Sequence, residues 1–222
     1  MIEFKGCQFE KSVILQCIRW SLRYPVSYRQ LEEMMKERGV CVDHSTINRW
    51  VLKFTPQIEA NLRKTKRPVT DSWRCDEMCV KIKGKWKWLY RAVDTDGNPV
   101  DFILTARRDK KAALRFFKKA IDQNGIPRVI NIDKSGANKA GLEATNRYYG
   151  LDIEVRQFKY LNNIVEQSHR LIRRMTRPMK GFQSFWSAAK TLSGIEIVDW
   201  IYRNQIKIKG KSPAERFLAL AA

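Results

Sequence analysis

The sequence is short of acid and of the side chains that most enzymes use as nucleophiles or zinc ligands. Aspartate and glutamate total 23 against 43 lysines and arginines, and there are two histidines. No P-loop, glycine-rich dinucleotide turn or Gly-x-Ser-x-Gly is present, which excludes the common NTPase, Rossmann and serine-hydrolase designs. Five cysteines (Cys7, Cys17, Cys41, Cys75, Cys79) are scattered without paired zinc spacing, so they are expected as reduced structural thiols. Long hydrophobic runs are missing too. The longest apolar stretch, residues 191–200, is interrupted by Glu196 and Asp199, and no membrane span is expected. Glu3 and the lack of an early apolar core argue against a secretion signal, and a cytoplasmic location is expected.

What is abundant is positive charge. A formal net charge of +20 over 222 residues repels itself in a compact fold and implies a polyanionic partner. With no membrane signal, that partner is expected to be nucleic acid. A hydrophobic fraction of 44% with 11% aromatics is that of a folded chain rather than a basic disordered tail.

Residues 1–60 read as helical. Val13, Ile14, Leu15, Ile18 and Leu22 have helical spacing, and Pro25 ends the run. Ser27 with Gln30 forms a capping box for a second helix with Leu31, Met34 and Met35 inside, closed by Gly39. Asp43 or Ser45 opens a third helix containing Ile47, Trp50, Val51 and Phe54, with Pro56 expected beyond its end. The pattern fits either a helix-turn-helix or a plain three-helix bundle. In the first case His44, Ser45, Thr46, Asn48 and Arg49 would face base edges and phosphates. Residues 61–70 are expected to be a basic linker, with Arg63, Lys64, Lys66 and Arg67 suited to a phosphate backbone.

Beyond the linker the hydrophobic period changes to two. Residues 73–82, 86–94 and 99–105 predict an antiparallel meander, followed by a helix over 109–123 and a short buried strand over 128–133. A further helix, a strand near 153–155 and two C-terminal helices complete the prediction. This order, α/β with a mixed sheet, matches the ribonuclease-H-like fold and is compatible with other α/β layouts. The expected domains are thus 1–60, 61–70 and 71–222.

Three carboxylates stand out. Asp76 sits mid-strand, where aspartate is disfavoured; alternation groups it with Arg74, Met78, Val80 and Ile82 and turns Glu77 the other way. Asp133 ends an apolar strand, where open α/β sheets place their ligand crevice. Glu166 lies on a helix whose buried stripe is expected to be Leu161, Ile164, Val165, Leu171, Ile172 and Met175, with His169, Arg170, Arg173 and Arg177 beside it on the other face. Two aspartates on neighbouring strands and a glutamate on a facing helix suit two divalent cations about 3.5–4 Å apart, which serve phosphodiester chemistry. Oxygen ligands point to Mg²⁺, with Mn²⁺ as a substitute. Residues 155–180 hold seven bases, Lys159 among them, against Glu166 as the single acid.

The chain resembles the DDE transposases of insertion sequence family six. The matching stretches include Trp73-Arg74-x-Asp76-Glu77, Leu89-Tyr90-Arg91-Ala92-Val93-Asp94 and Lys159-Tyr160-Leu161-Asn162-Asn163-x-x-Glu166-Gln167-x-His169-Arg170. Val42-Asp43-His44-Ser45-Thr46-Ile47-x-Arg49-Trp50 belongs to the same set. The resemblance implies that Asp76, Asp133 and Glu166 form the metal-binding triad and that the N-terminal helices recognise the element's inverted repeats. It also implies strand nicking and transfer with a cointegrate outcome. Lys159, His169, Arg170 and Arg173 would hold DNA near the metals. The implied partners are double-stranded DNA of element ends and target, and further copies of the chain, at least a dimer; on DNA the protein would be nucleoid-associated. Ser168 stands where relatives commonly have aspartate, and Asn48 where many have tyrosine. A regulator that only binds DNA, a nuclease without strand transfer and an inactive transposase copy are the rival readings.

Overall fold

A computed structural model of the chain describes residues 2–134 and 136–221; the Lys159 side chain lies outside the described residues. In chain order the main elements are α1 (Lys11–Arg23), α2 (Tyr28–Lys36), α3 (His44–Arg63), β1 (Ser72–Ile82), β2 (Lys85–Asp94), β3 (Pro99–Thr105) and α4 (Lys110–Asn124). They continue with β4 (Val129–Asn131), α5 (Gly136–Tyr149), β5 (Glu154–Arg156), α6 (Asn163–Thr176), α7 (Phe185–Tyr202) and α8 (Pro213–Leu218).

The chain condenses into two units, Met1–Arg67 with Ile172–Ala222, and Pro68–Leu171. The expected division at 60 and 70 followed the change of hydrophobic period along the chain. The C-terminal helices instead condense with the N-terminal ones. The reason is α7: from Thr191 to Ile201 it is buried all round, so it needs apolar neighbours on every side. In its unit it packs on α1 and α3.

Local chemistry sets the N-terminal helices. Ser27 N–H donates to Gln30 Oε1 (2.8 Å) and Ser27 Oγ accepts from Gln30 N–H (3.2 Å), completing the capping box of α2. Gly39 turns the chain at φ +74°. Asp43 caps α3 by accepting from Ser45 N–H at 2.8 Å. Pro56 lies inside α3, not beyond it. Proline cannot supply the bond that Leu52 C=O would receive within the helix. Lys190 of α7 supplies it, its Nζ donating to Leu52 O at 2.9 Å. Tertiary packing thus lets α3 run through a proline that would otherwise end it.

The expected linker is likewise structured. Helix α3 continues to Arg63, after which Arg67 N–H donates to Gln205 O (2.6 Å) and Lys207 N–H to Thr65 O (3.0 Å). Arg63 pairs with Glu59 at 2.8 Å, and both Arg63 and Lys66 lie over the Trp200 ring.

The unit of residues 68–171 is built on a five-stranded sheet in the order β3-β2-β1-β4-β5. Strands β1, β2 and β3 are antiparallel, while β4 and β5 run parallel to β1. This is the ribonuclease-H-like arrangement, as the element order implied. Trp73, Cys75, Tyr90, Phe116, Phe117 and Ile130 belong to the core formed with α4 and α5. Helices α4 and α5 meet at Gly141, where an added Cβ would fall on the Ala113 methyl and 3.1 Å from its carbonyl carbon. Among the described residues no helix is long and apolar enough to cross a membrane.

Candidate active site

The site forms where β1 outruns β4. Strand β4 pairs with β1 only over Ser72–Arg74, so Asp76 and Glu77 lie past its end. Asp133 follows β4 by two residues and comes alongside them. Ligand atoms of Asp76, Glu77 and Asp133 lie within 4.8 Å of one another. Alternation had turned Glu77 away, and on that point the structure corrects the expectation. With β2 on one side but no strand on the β4 side at this position, the Asp76 and Glu77 carboxylates both come close to Asp133.

Glu166 comes from α6. A buried Asn131 on β4 fastens the chain ahead of that helix. Its side chain donates to Phe158 O (3.1 Å) and Asn162 Oδ1 (2.6 Å) and accepts from Phe158 N–H (3.0 Å). Gln157 Nε2 adds a bond to Asp133 O at 3.2 Å. As a result Asp76, Asp133 and Glu166 line one cavity of about 420 Å³, together with Lys134, Gln157 and Asn162.

The inner face of α6 differs from the expected stripe. Ile164 is exposed, whereas Ser168 and His169 are buried beside Val165. The reason is the sheet they meet, because Asp76 and Arg91 are cross-strand partners there. Ser168 Oγ accepts from Arg91 Nη1 at 2.7 Å, and His169 Nδ1 lies 3.8 Å from Asp76 Oδ2. His169 therefore faces the carboxylate, not an exterior DNA surface. Arg170 and Arg173 are exposed on α6, and of Lys159 only the backbone is described.

Burial, followed by repulsion from Glu77, Asp133 and Glu166, pushes the Asp76 carboxyl up from 3.8 to about 7. Glu77 is also raised, by burial first, although Arg108 opposes the shift. Arg108 is the cation that sequence reasoning missed. Its Nε and Nη2 donate to Glu77 at 3.2 and 3.1 Å, and Nη2 also reaches Asp133 Oδ2 at 2.6 Å. Asn138 Nδ2 donates to Asp133 Oδ1 at 3.1 Å. A polar Asn131 inside an apolar strand was a visible signal; Arg108 lies in a loop and carried none.

The other expected contacts lie in the helical unit. His44 is engaged with Glu32, through its backbone N–H (3.0 Å) and Nδ1 (2.7 Å). Ser45 bonds Asp43 through both its N–H and its hydroxyl, and Thr46 Oγ1 accepts from Arg49 at 2.8 Å. Asn48 lines a cavity with Ser27, Tyr28 and Met175. Ser45, Arg49, Lys64 and Arg67 are exposed, while Arg63 and Lys66 are engaged as described above.

The DDE domain of the IS240 transposase type matches residues 70–205. A transposase for the insertion sequence-like element IS431mec of Staphylococcus aureus is 38% identical over 99% of this chain and 98% of its own length. The chain belongs to the DDE transposases of insertion sequence family six. A second relative of this transposase, that of IS257 in transposon Tn4003 of Staphylococcus aureus, is 37% identical over the same extent. Among solved structures the transposase is similar to the magnesium-bound catalytic core of HTLV-2 integrase, at 19% identity and a TM-score of 0.45, covering 68% of this chain and 95% of that one. As a DDE transposase it is a polynucleotidyl transferase.

Proposed function

We propose that this transposase nicks and joins DNA at a carboxylate centre made of Asp76, Asp133 and Glu166, with Mg²⁺ as its cofactor. The observation that carries the reading is that three acids from β1, the end of β4 and α6 line one cavity in a chain of net charge +20. The donor set fits such a cation: it is all oxygen, and two of the acids belong to a cluster within 4.8 Å. Two Mg²⁺ ions held by these residues would supply an activated water or 3′-hydroxyl and stabilise the leaving oxygen of a phosphodiester, with Mn²⁺ able to substitute.

Each residue has a distinct part in this reading. Asp76 is carried by strand β1, and Asp133, two residues past β4, is held by its bonds to Arg108 and Asn138. Glu166 is exposed on a helix fastened by Asn131, which lets it close the centre from the substrate side. His169 steadies Asp76 from behind. Arg170, one turn beyond Glu166, suits the phosphate backbone, as do Arg173 and Lys159. In the helical unit the exposed Ser45 and Arg49, with Lys64 and Arg67, are the leading contacts to the inverted repeats. His44, held by Glu32, orients the start of that helix, and Asn48 remains a candidate contact on it. Two element ends and one target imply at least a dimer on DNA, and the family resemblance favours the cointegrate route.

The test is strand transfer of labelled element-end DNA with Mg²⁺. Glu166→Gln is expected to lower the joined product at least about 100-fold while end binding stays intact. Equal activity would sink the triad. Nicked DNA without joined product would favour the nuclease reading, and end binding without cleavage in the wild type would favour a regulator.

A further inference from the structure

We infer that Glu77 and Arg108 form a positioning pair that sets the orientation of Asp133. The inference rests on the reading of Asp133 as a metal ligand. Asp133 is outside regular structure, two residues past β4, where a carboxylate would turn freely about its Cβ–Cγ bond. Both of its oxygens are instead tied: Oδ2 to Arg108 Nη2 at 2.6 Å and Oδ1 to Asn138 Nδ2 at 3.1 Å. Contacts to both oxygens fix the plane of the carboxylate.

Arg108 is itself held from behind. The Glu77 side chain is completely buried and takes two bonds from the guanidinium, in the fork geometry that arginine has and lysine lacks. The guanidinium carbon also stands 5.3 Å from the Trp88 ring centre. Burying a carboxylate is costly unless it is paired. Here the pair reaches into the centre, since the same Nη2 serves Glu77 and Asp133. A purely structural ion pair would have no such third partner. Outer-shell groups that orient ligating carboxylates in this way typically contribute 10–100-fold to metal affinity.

Glu77 has a competing role as a direct ligand, because its oxygens lie in the same cluster as those of Asp76 and Asp133. A double-mutant cycle separates the two. Mn²⁺ affinity of the full-length protein is measured by electron paramagnetic resonance for wild type, Arg108→Ala, Glu77→Gln and the double variant, each first shown to be folded by near-ultraviolet circular dichroism. Both single variants are expected to bind Mn²⁺ about 10–100-fold more weakly, and the double variant no more weakly than either. Arg108→Lys is expected to recover only part of the loss, because it restores charge without the fork. Wild-type affinity in Arg108→Ala, or losses that multiply in the double variant, overturns the pairing. If Arg108→Ala does not fold, Glu77→Gln and Arg108→Lys decide, and wild-type affinity in both overturns it. Asp133→Asn is the control for the centre itself: unchanged Mn²⁺ binding there overturns the metal site, and the pairing with it, whatever the other variants do.

Discussion

Asp76 concentrates the conflict between stability and chemistry in a single carboxyl. Burial and three neighbouring acids raise it to about 7, so folding favours its protonated form. The stabilisation is complete below the ordinary value of 3.8 and is lost as pH rises through about 7. Asp76→Asn is therefore expected to melt above wild type at pH 8, with the gap closing toward pH 5. Mg²⁺ is expected to raise the wild-type melting temperature more at pH 8 than at pH 5.5, since cation and proton compete for the same oxygens. Thermal melts at the two pH values check both, and a pH-independent gap would count against the burial argument. The three acids that line the cavity were readable at this scale because aspartate in mid-strand and an acid among bases break local rules. Glu77 and Arg108 were not. Strict alternation sent Glu77 to the opposite face, and nothing local marks a loop arginine as the partner of two acids distant in sequence.

At the scale of the element, the helices and strands were legible wherever capping and period agreed. Ser27, Asp43, Asp109 and Gly125 mark ends that the structure keeps. Pro56 shows the limit, because a proline stops a helix only when the carbonyl it orphans has no other partner. Lys190→Met removes the Nζ that serves Leu52 O while keeping most of the apolar stem. It is expected to cost about 1–3 kcal/mol by leaving that carbonyl unsatisfied. Urea denaturation checks this, and Pro56→Ala in the same background should recover part of the loss by returning a backbone donor. Helix α6 makes the complementary point. Its stripe was assigned by hydrophobicity alone, but Ser168 and His169 turn inward because the sheet offers them Arg91 and Asp76.

For the whole molecule, the +20 charge excess is unevenly available. Of the seven bases between Arg107 and Lys119, Arg108 serves the acidic centre, Lys118 lies over Tyr148 at 3.3 Å and Lys119 pairs with Asp101 at 3.0 Å. Lys64, Arg67, Arg170 and Arg173 are exposed. Binding of element-end DNA is expected to weaken steeply with salt, and replacing Arg170 and Arg173 by glutamine should reduce the slope of log K against log salt by about 1–2. Fluorescence anisotropy across a salt series measures it, and an unchanged slope would remove both from the DNA path. By itself the sequence determined the charge excess, the element order, the capped ends and the three acids, since net charge, periodicity and local hydrogen bonding are properties of neighbouring residues. Only the tertiary structure decided that α7 joins the N-terminal helices, that α3 passes through Pro56, that the basic segment after it is fastened and that Glu77 and Arg108 reach Asp133. Those outcomes depend on partners far apart in the chain, and burial energy chooses among such partners only once the chain has folded.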